Sequence, residues 1–261
     1  SRTMNTALVW VSYAKDLEWF RYSLASYRRF ATGFDDAVVL IPEQDRELFE
    51  QACEGSGVRT EAFLDWPGIG FNRHMAIQTS ADLFTDAKLI FHIDSDTVFT
   101  MPVTPECWMH ESGKPVALYQ LFSSFENEFG PKMWKSRVDA AIGGSVLRMT
   151  MVTPPYVYCR DVYAATREAV ERQHCGKTFL EYVKSCENTF PQGYAEFPTL
   201  GALAQRAPFA EDYHWHNIIA EGNPAKLLVG EGWSHGGLDY VVSDRFDGKL
   251  TARQYFASLG L

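Results

Sequence analysis

The chain of 261 residues lacks several features that would assign it to a common class of protein. No apolar run approaches the roughly 20 residues that a membrane-spanning helix needs, and runs such as Ala7–Val11 and Leu89–Ile93 have the length of β-strands. Basic residues are in deficit, since 24 Lys and Arg oppose 33 Asp and Glu for a formal net charge of -9. This balance argues against nucleic acid or an anionic membrane surface as a partner and favours a small substrate.

Paired cysteines are also lacking. The five cysteines are odd in number, and none forms a C-x-x-C pair, so neither a disulfide framework nor a structural zinc site is indicated. Residues 1–4 carry no hydrophobic segment of the secretory type. We therefore expect reduced thiols and a cytoplasmic location.

The composition is that of a folded chain, with 46% hydrophobic, 22% charged and 14% aromatic residues. Over the first 95 residues or so, apolar runs of strand length alternate with segments of helical periodicity. The predicted strands are Thr6–Tyr13, Ala37–Ile41, Val58–Leu64 and Lys88–Ile93, and the predicted helices are Asp16–Phe30, Glu43–Cys53 and Asn72–Phe84. This alternation predicts an α/β fold with a mainly parallel sheet and helices on both faces.

The second half of the chain is less regular and predicts a mixed arrangement within the same single compact domain. Its predicted strands are Val116–Phe122, Ser145–Thr150, Tyr213–Ile218 and Ala225–Val229, and its predicted helices are Arg160–His174, Thr178–Glu187 and Glu196–Gln205. No Pro-, Gly- or Ser-rich linker divides the two halves. We therefore expect two fused subdomains in residues 1–261.

An acidic pair, Asp94-Ser95-Asp96, directly follows the apolar strand that ends at Ile93. A D-x-D spacing alone arises by chance, but open α/β sheets bind their ligands at the carboxyl ends of the strands. Two carboxylates without an adjacent Lys or Arg repel each other unless a cation lies between them. Because Mg²⁺ or Mn²⁺ takes one or two carboxylates plus phosphate oxygens, the pair predicts a metal–diphosphate site. The alternatives are a strand-end turn and a helix N-cap.

The chain here resembles the GT-A glycosyltransferases that carry a D-x-D motif. The resemblance rests on the strand–helix alternation, on the first strand ending in Ser12-Tyr13, and on the acidic pair after an apolar strand. Residues Phe190–Gly201 are also similar to the Ser-Glu-Phe-x-x-Tyr-Gly segment of some small bacterial and large-virus sugar transferases. They depart from it by Tyr194-Ala195 before the Glu and by Leu200 before Gly201.

The resemblance implies a GT-A type fold with a Rossmann-like sheet and a transferase that uses a UDP- or GDP-sugar, Mn²⁺ or Mg²⁺, and a carbohydrate acceptor. Residues from about 5 to 100 would form the nucleotide-binding half, and residues from about 101 to 261 would form the acceptor-binding half. The resemblance implies Asp96 as a metal ligand and Asp94 as a ligand of the metal or of the ribose. Ser95, between the two aspartates, is a predicted donor-binding residue.

His235 is the predicted third metal ligand. It lies in Trp233–Gly237, and GT-A enzymes often add a histidine near the C-terminus to the metal, so its placement fits. The alternative is a loop histidine that is hydrogen-bonded to the backbone. His214 and His216 compete for the role, because alternation along a strand puts both imidazoles on one face.

The candidate catalytic base is Glu196, which would deprotonate the acceptor hydroxyl in a reaction that inverts the anomeric centre. The assignment follows the partial resemblance of Phe190–Gly201. A carboxylate at a helix N-terminus is the structural alternative, and a retaining enzyme would use Glu196 only to orient substrate. Asp212 and Asp239 are reserve candidates.

Donor-binding candidates lie at the end of the first predicted strand and after the third. We expect Tyr13 to stack on the nucleotide base beside Ser12, and Asp16 to accept a hydrogen bond from base or ribose unless it is only a helix N-cap. Arg73 is a candidate for phosphate or donor sugar, and Gln78 follows one to two turns later. Aromatic loop residues are candidates for an acceptor platform: Trp66, Trp134, Tyr194 and Trp233.

Three other functions remain open. A sugar-1-phosphate nucleotidyltransferase normally has a Gly-rich basic loop after the first strand, and residues 12–16 contain no glycine. A metal hydrolase could use Asp96 with His214, His216 and His235 and would need no nucleotide. A non-catalytic carbohydrate-binding module would explain the aromatic residues but not the acidic pair.

Overall fold

The computed structural model describes residues 5–63, 70–126, 130–190, 192–241 and 250–261. Its strands are β1 Thr6–Val11, β2 Asp36–Pro42, β3 Arg59–Phe63, β4 Leu89–His92, β5 Thr97–Phe99, β6 Val116–Leu121, β7 Arg148–Met149, β8 Tyr156–Cys159, β9 His214–Asn217 and β10 Val229–Glu231. Its helices are α1 Leu17–Phe30, α2 Arg46–Cys53, α3 Gly70–Gln78, α4 Trp134–Ile142, α5 Asp161–Gln173, α6 Phe179–Ser185, α7 Glu196–Ala204, α8 Ile218–Glu221 and α9 Ala252–Ser258. Short 3₁₀ turns connect several of them.

The main sheet has five strands in the order β3-β2-β1-β4-β8. The first four are parallel, with Val9 opposite both Val38 and His92, while β8 runs antiparallel to β4. The prediction of an α/β fold with a mostly parallel sheet is therefore confirmed. Membership of the GT-A type stays a prediction.

Strands β1, β2 and β4 are buried on both faces of the sheet, which explains why these strands are almost wholly apolar. Alternate residues of β1 enter two different cores: Val9 packs on one side of the sheet and Leu8 and Trp10 on the other. Helices α1 and α2 cover the Trp10 side through Phe20 and Phe49. Helices α3 to α7 contribute to the Val9 side, so the sheet lies between two layers of helices.

Two small sheets complete the second half. In one, β6 pairs in parallel with β9 and antiparallel with β7. In the other, β10 pairs antiparallel with β5, so that Glu231 lies opposite Thr97. This second pairing brings the chain near residue 230 back to the acidic segment that follows β4.

Several predicted boundaries are wrong. The strand predicted at Ala225–Val229 is Val229–Glu231, because residues 223–228 form turns in which the Asn223 side chain accepts the Ala225 N–H. The helix predicted to reach Phe84 ends at Gln78. The strand predicted at Ser145–Thr150 consists only of Arg148–Met149.

Strands β5 and β8 and helices α4, α8 and α9 were not predicted from the sequence. Among the described residues, no helix is long and apolar enough to cross a membrane. All five cysteines are free thiols, in agreement with the expectation of no disulfide.

Candidate functional site

A cavity of about 400 Å³ opens beyond the carboxyl ends of β1 and β4, the edge where parallel sheets bind ligands. Its wall combines the ends of these strands with the start of α1, one face of α3 and the turn after β10. Eight residues predicted for donor or metal binding line it: Ser12, Tyr13, Asp16, Arg73, Asp94, Ser95, Asp96 and His235. The structure thus brings together residues that are separated by more than 200 positions in the chain.

The two strand ends are joined by their serines. Ser12 follows β1, and its N–H donates to Leu40 O at 3.0 Å, which continues the sheet by one residue. The buried Ser95 hydroxyl donates to Ser12 Oγ at 2.8 Å. The two hydroxyls therefore fix the acidic segment against the end of β1, and the Ser12 proton remains available to a ligand.

Asp96 holds the segment after β10 in place. Its carbonyl accepts the Gly232 N–H at 2.6 Å, and its carboxylate accepts the Ser234 N–H at 3.1 Å. A side chain at residue 232 would collide with the Trp19 ring at 2.4 Å, so only glycine allows this close approach. These contacts position the segment so that the exposed His235 lies at the edge of the cavity.

Five carboxyl groups share the electrostatic environment of the site: Asp16, Asp94, Asp96, Glu196 and Glu231. Burial and then the neighbouring carboxylates raise the pKa of Asp94 well above its usual range. Burial, opposed by His235 and reinforced by Asp96, raises the pKa of Asp16 to about 6. Among the described residues that line the cavity, Arg73 is the single Lys or Arg.

This donor set suits a hard divalent cation, because carboxylate oxygens and an imidazole are ligands that Mn²⁺ and Mg²⁺ accept. In the described part of the chain, no three His, Cys, Asp or Glu side chains converge into a group that could hold a metal ion. A cation that takes one or two carboxylates and completes its shell with phosphate oxygens and water needs no such preformed group. The roles of Asp94, Asp96 and His235 as metal ligands stay predictions.

Glu196 does not line the cavity. It is the first residue of α7 and is only 5% exposed. Burial raises its pKa to about 8, although its own N–H and that of Phe197 stabilise the charged form. Its charge also raises the pKa of Asp94, which places it near the acidic pair. The carboxyl is therefore largely protonated at neutral pH, and its role as a base stays a prediction.

The competing histidines lie elsewhere. His214 stacks on His110 with ring centroids 3.7 Å apart, and His216 Nε2 lies 2.8 Å from Gly222 O. Neither lines the cavity beside Asp96. The reserve base Asp239 is exposed and pairs with Arg253 at 3.1 Å.

Asp212 and Gln78 also lie outside the cavity wall. Asp212 is exposed at the end of a 3₁₀ turn. The Gln78 side chain is buried, and its Oε1 has no partner among the described residues.

The described aromatic residues that were predicted for an acceptor platform differ in their surroundings, and the platform stays a prediction. Tyr194 is 2% exposed, and its hydroxyl lies 3.2 Å from Thr79 Oγ1, so it is a core residue and its placement on an acceptor surface is wrong. Trp134 packs edge to face on Phe190 at 5.6 Å. Trp233 is half exposed beside the cavity and packs edge to face on Tyr240. Trp66 lies outside the described residues.

The structure adds lining residues that sequence reasoning missed. Phe71, His74 and Met75 lie on the face of α3 that closes the cavity, and their i, i+3, i+4 spacing was the available signal. Burial and then Arg73 lower the pKa of His74 to about 4, so this imidazole is neutral at pH 7. Glu231 was missed because its strand was predicted too early in the chain.

Comparison of the chain with models of known protein families and with curated proteins found no match. The functional argument therefore rests on the residues of the site.

Proposed function

We propose that this protein is a metal-dependent glycosyltransferase of the GT-A type, which moves a sugar from a UDP- or GDP-sugar to a carbohydrate acceptor. The observation that carries the proposal is the single cavity that collects eight of the predicted donor-site and metal-site residues around an excess of carboxylates. A site with so many carboxylates can hold a diphosphate only if a cation offsets the negative charge of the carboxylates and that of the diphosphate. The cytoplasmic location that we propose agrees with the free cysteines.

Each residue has a role that its position allows. A bound Mn²⁺ or Mg²⁺ would stabilise the negative charge of the leaving diphosphate. Asp94 and Asp96 would hold that cation, with His235 at the edge of the cavity. Tyr13, whose ring is partly exposed, would flank the nucleotide base, and Arg73 would contact phosphate or donor sugar.

The proposed transfer inverts the anomeric centre, and Glu196 accepts the proton of the acceptor hydroxyl. A carboxyl with a pKa of about 8 is a strong base once it is ionised, but only a small fraction of the protein molecules carries the ionised form at neutral pH. Transfer limited by this step should therefore accelerate with rising pH up to about 8. Because a cation near Asp94 favours the ionised form of Glu196, loading of the site would shift this rise to lower pH.

The proposal is tested by a thermal-shift screen of nucleoside diphosphates and nucleotide sugars, with Mn²⁺ and with a chelator. We expect UDP or GDP compounds to raise the Tm of the wild type only when Mn²⁺ is present. Asp96→Ala should lose this response, while Asp86→Ala, which removes an exposed carboxylate outside this cavity, should keep it. An unchanged response of Asp96→Ala would contradict the proposal.

The role of Glu196 has a separate test. Glu196→Gln should bind the donor like the wild type, because the side chain does not line the donor cavity, but should lose sugar transfer to an acceptor. Transfer that persists at the wild-type rate would show that another group accepts the proton. Donor binding would then stand while the base assignment fails.

A further inference from the structure

A second cavity, of about 430 Å³, lies between the small sheet of β7, β6 and β9 and the C-terminal part of α7. It shares no lining residue with the cavity beside Asp96. Ala202 and Gln205 contribute to its wall. Glu196 begins the same helix, and nine residues at about 1.5 Å per residue place the two ends of α7 about 13 Å apart.

Arg148 is the distinctive side chain of this cavity. Its guanidinium lies over the rings of Tyr119 and Trp215, at 4.8 Å from each ring centroid. Its backbone is fixed as well, because Gln205 accepts the Arg148 N–H and donates to the Arg148 carbonyl. Among the described residues, no carboxylate pairs with this guanidinium. The two rings are inclined to each other by 68°, so the guanidinium contacts both of them while Arg148 lines the cavity.

The charge of the cavity wall is positive, in contrast to the net charge of -9 for the chain. The charged residues in the described wall are Arg148, Arg206 and Asp139. The Asp139 carboxylate is already neutralised, since it accepts from Lys135 Nζ at 2.7 Å and from the Val146 N–H at 2.8 Å. Arg206 donates to the carbonyl of Ile142 at 3.3 Å and keeps its charge beside the cavity.

We propose that this cavity is a binding site for an oxyanion carried on a compact body, such as an acidic sugar or a sugar phosphate. A guanidinium fork matches carboxylate and phosphate oxygens in a bidentate geometry. Contact with both rings restricts the side chain, so less side-chain entropy is lost when the anion binds. The volume suits a small molecule, and Val146 and Leu147 supply apolar wall for its body.

The site is tested by titrating glucuronate and glucose 6-phosphate into the protein in the presence of a chelator, with glucose as the neutral control. The chelator removes metal-dependent binding at the other cavity. The readout is the dissociation constant, together with the NMR shift of the Trp215 indole N–H, which donates to Ala210 O at 2.9 Å. We expect saturable binding of at least one acidic probe and none of glucose. The stronger acidic probe would identify carboxylate or phosphate as the preferred group.

Three variants give the test its specificity. Arg148→Met should weaken binding about ten-fold or more, because it removes the charge-assisted hydrogen bonds to the anion. Arg148→Lys keeps the charge but lacks the planar fork, so its affinity should fall between those of Arg148→Met and the wild type. If Arg148→Met fails to fold, Arg148→Lys replaces it in the comparison with the wild type. Arg28→Met removes an exposed arginine elsewhere and should bind like the wild type. Equal affinity of wild type and the Arg148 variants, equal binding of glucose, or no saturable binding at millimolar concentration would overturn the proposal.

Discussion

The buried carboxyl of Glu196 makes a quantitative prediction about stability and pH. Its pKa is about 8 in the folded protein, against an ordinary value of 4.5 that applies when the chain is unfolded. Below pH 4.5 both states hold the proton, and this group costs no stability. As the pH rises from 4.5 to 8, the unfolded chain releases the proton while the folded chain keeps it. The free energy of unfolding therefore falls by about 1.4 kcal/mol per pH unit in this window and levels off above it.

Glu196→Gln should remove this dependence, because the amide is neutral at every pH. Between pH 5.5 and 7.5 the stability of the variant relative to the wild type should increase by about 2–3 kcal/mol. Urea denaturation in the presence of a chelator, at several pH values in this range, measures the difference.

Glu168→Gln is the matched control, since Glu168 is exposed on α5. We expect its stability to follow that of the wild type at every pH. The reasoning is refuted if Glu196→Gln and the wild type give parallel curves, since Glu196 would then already be ionised at pH 5.5 in the folded protein.

Two further predictions concern stability. Gly201→Ala should destabilise the fold by about 1–3 kcal/mol despite the better helix propensity of alanine, because the added Cβ would lie 1.8 Å from Thr150 Oγ1. Chemical denaturation measures this loss, and a gain in stability would contradict the prediction. Asp82→Asn should cost about 3–5 kcal/mol because it leaves Arg167, paired at 2.6 Å in a largely buried position, without its counter-charge. Glu43→Gln, which breaks an exposed pair, should change stability far less than Asp82→Asn in the same assay, and equal losses would refute the role of burial.

The parallel part of the fold could be predicted because its signal is local. Apolar runs such as those of β1 and β2 are buried on both faces, and the helices between them show a single apolar face. The same pattern placed the acidic pair at a strand end and so located the cavity. The short strands β5 and β8 were missed, because three or four residues give too little periodicity and their pairing partners are distant in sequence.

The limits of the site prediction have a related cause. The contacts of Gly232 and Ser234 with Asp96 depend on the long-range pairing of β10 with β5, so local sequence did not reveal that Glu231 belongs to the acidic group. The burial of Glu196 was equally hidden. It depends on how α7 packs as a whole, and every residue of that helix is buried.

The central claim is that Asp94 and Asp96 hold a divalent cation together with a nucleoside diphosphate. The most direct measurement is the uptake of Mn²⁺, followed by the electron paramagnetic resonance signal of the free ion, with and without UDP or GDP. The account predicts that the wild type removes Mn²⁺ from solution more strongly when one of these nucleotides is present, and that Asp94→Asn with Asp96→Asn abolishes this uptake. Equal uptake by the wild type and the double variant, or nucleotide binding that a chelator leaves unchanged, would contradict it.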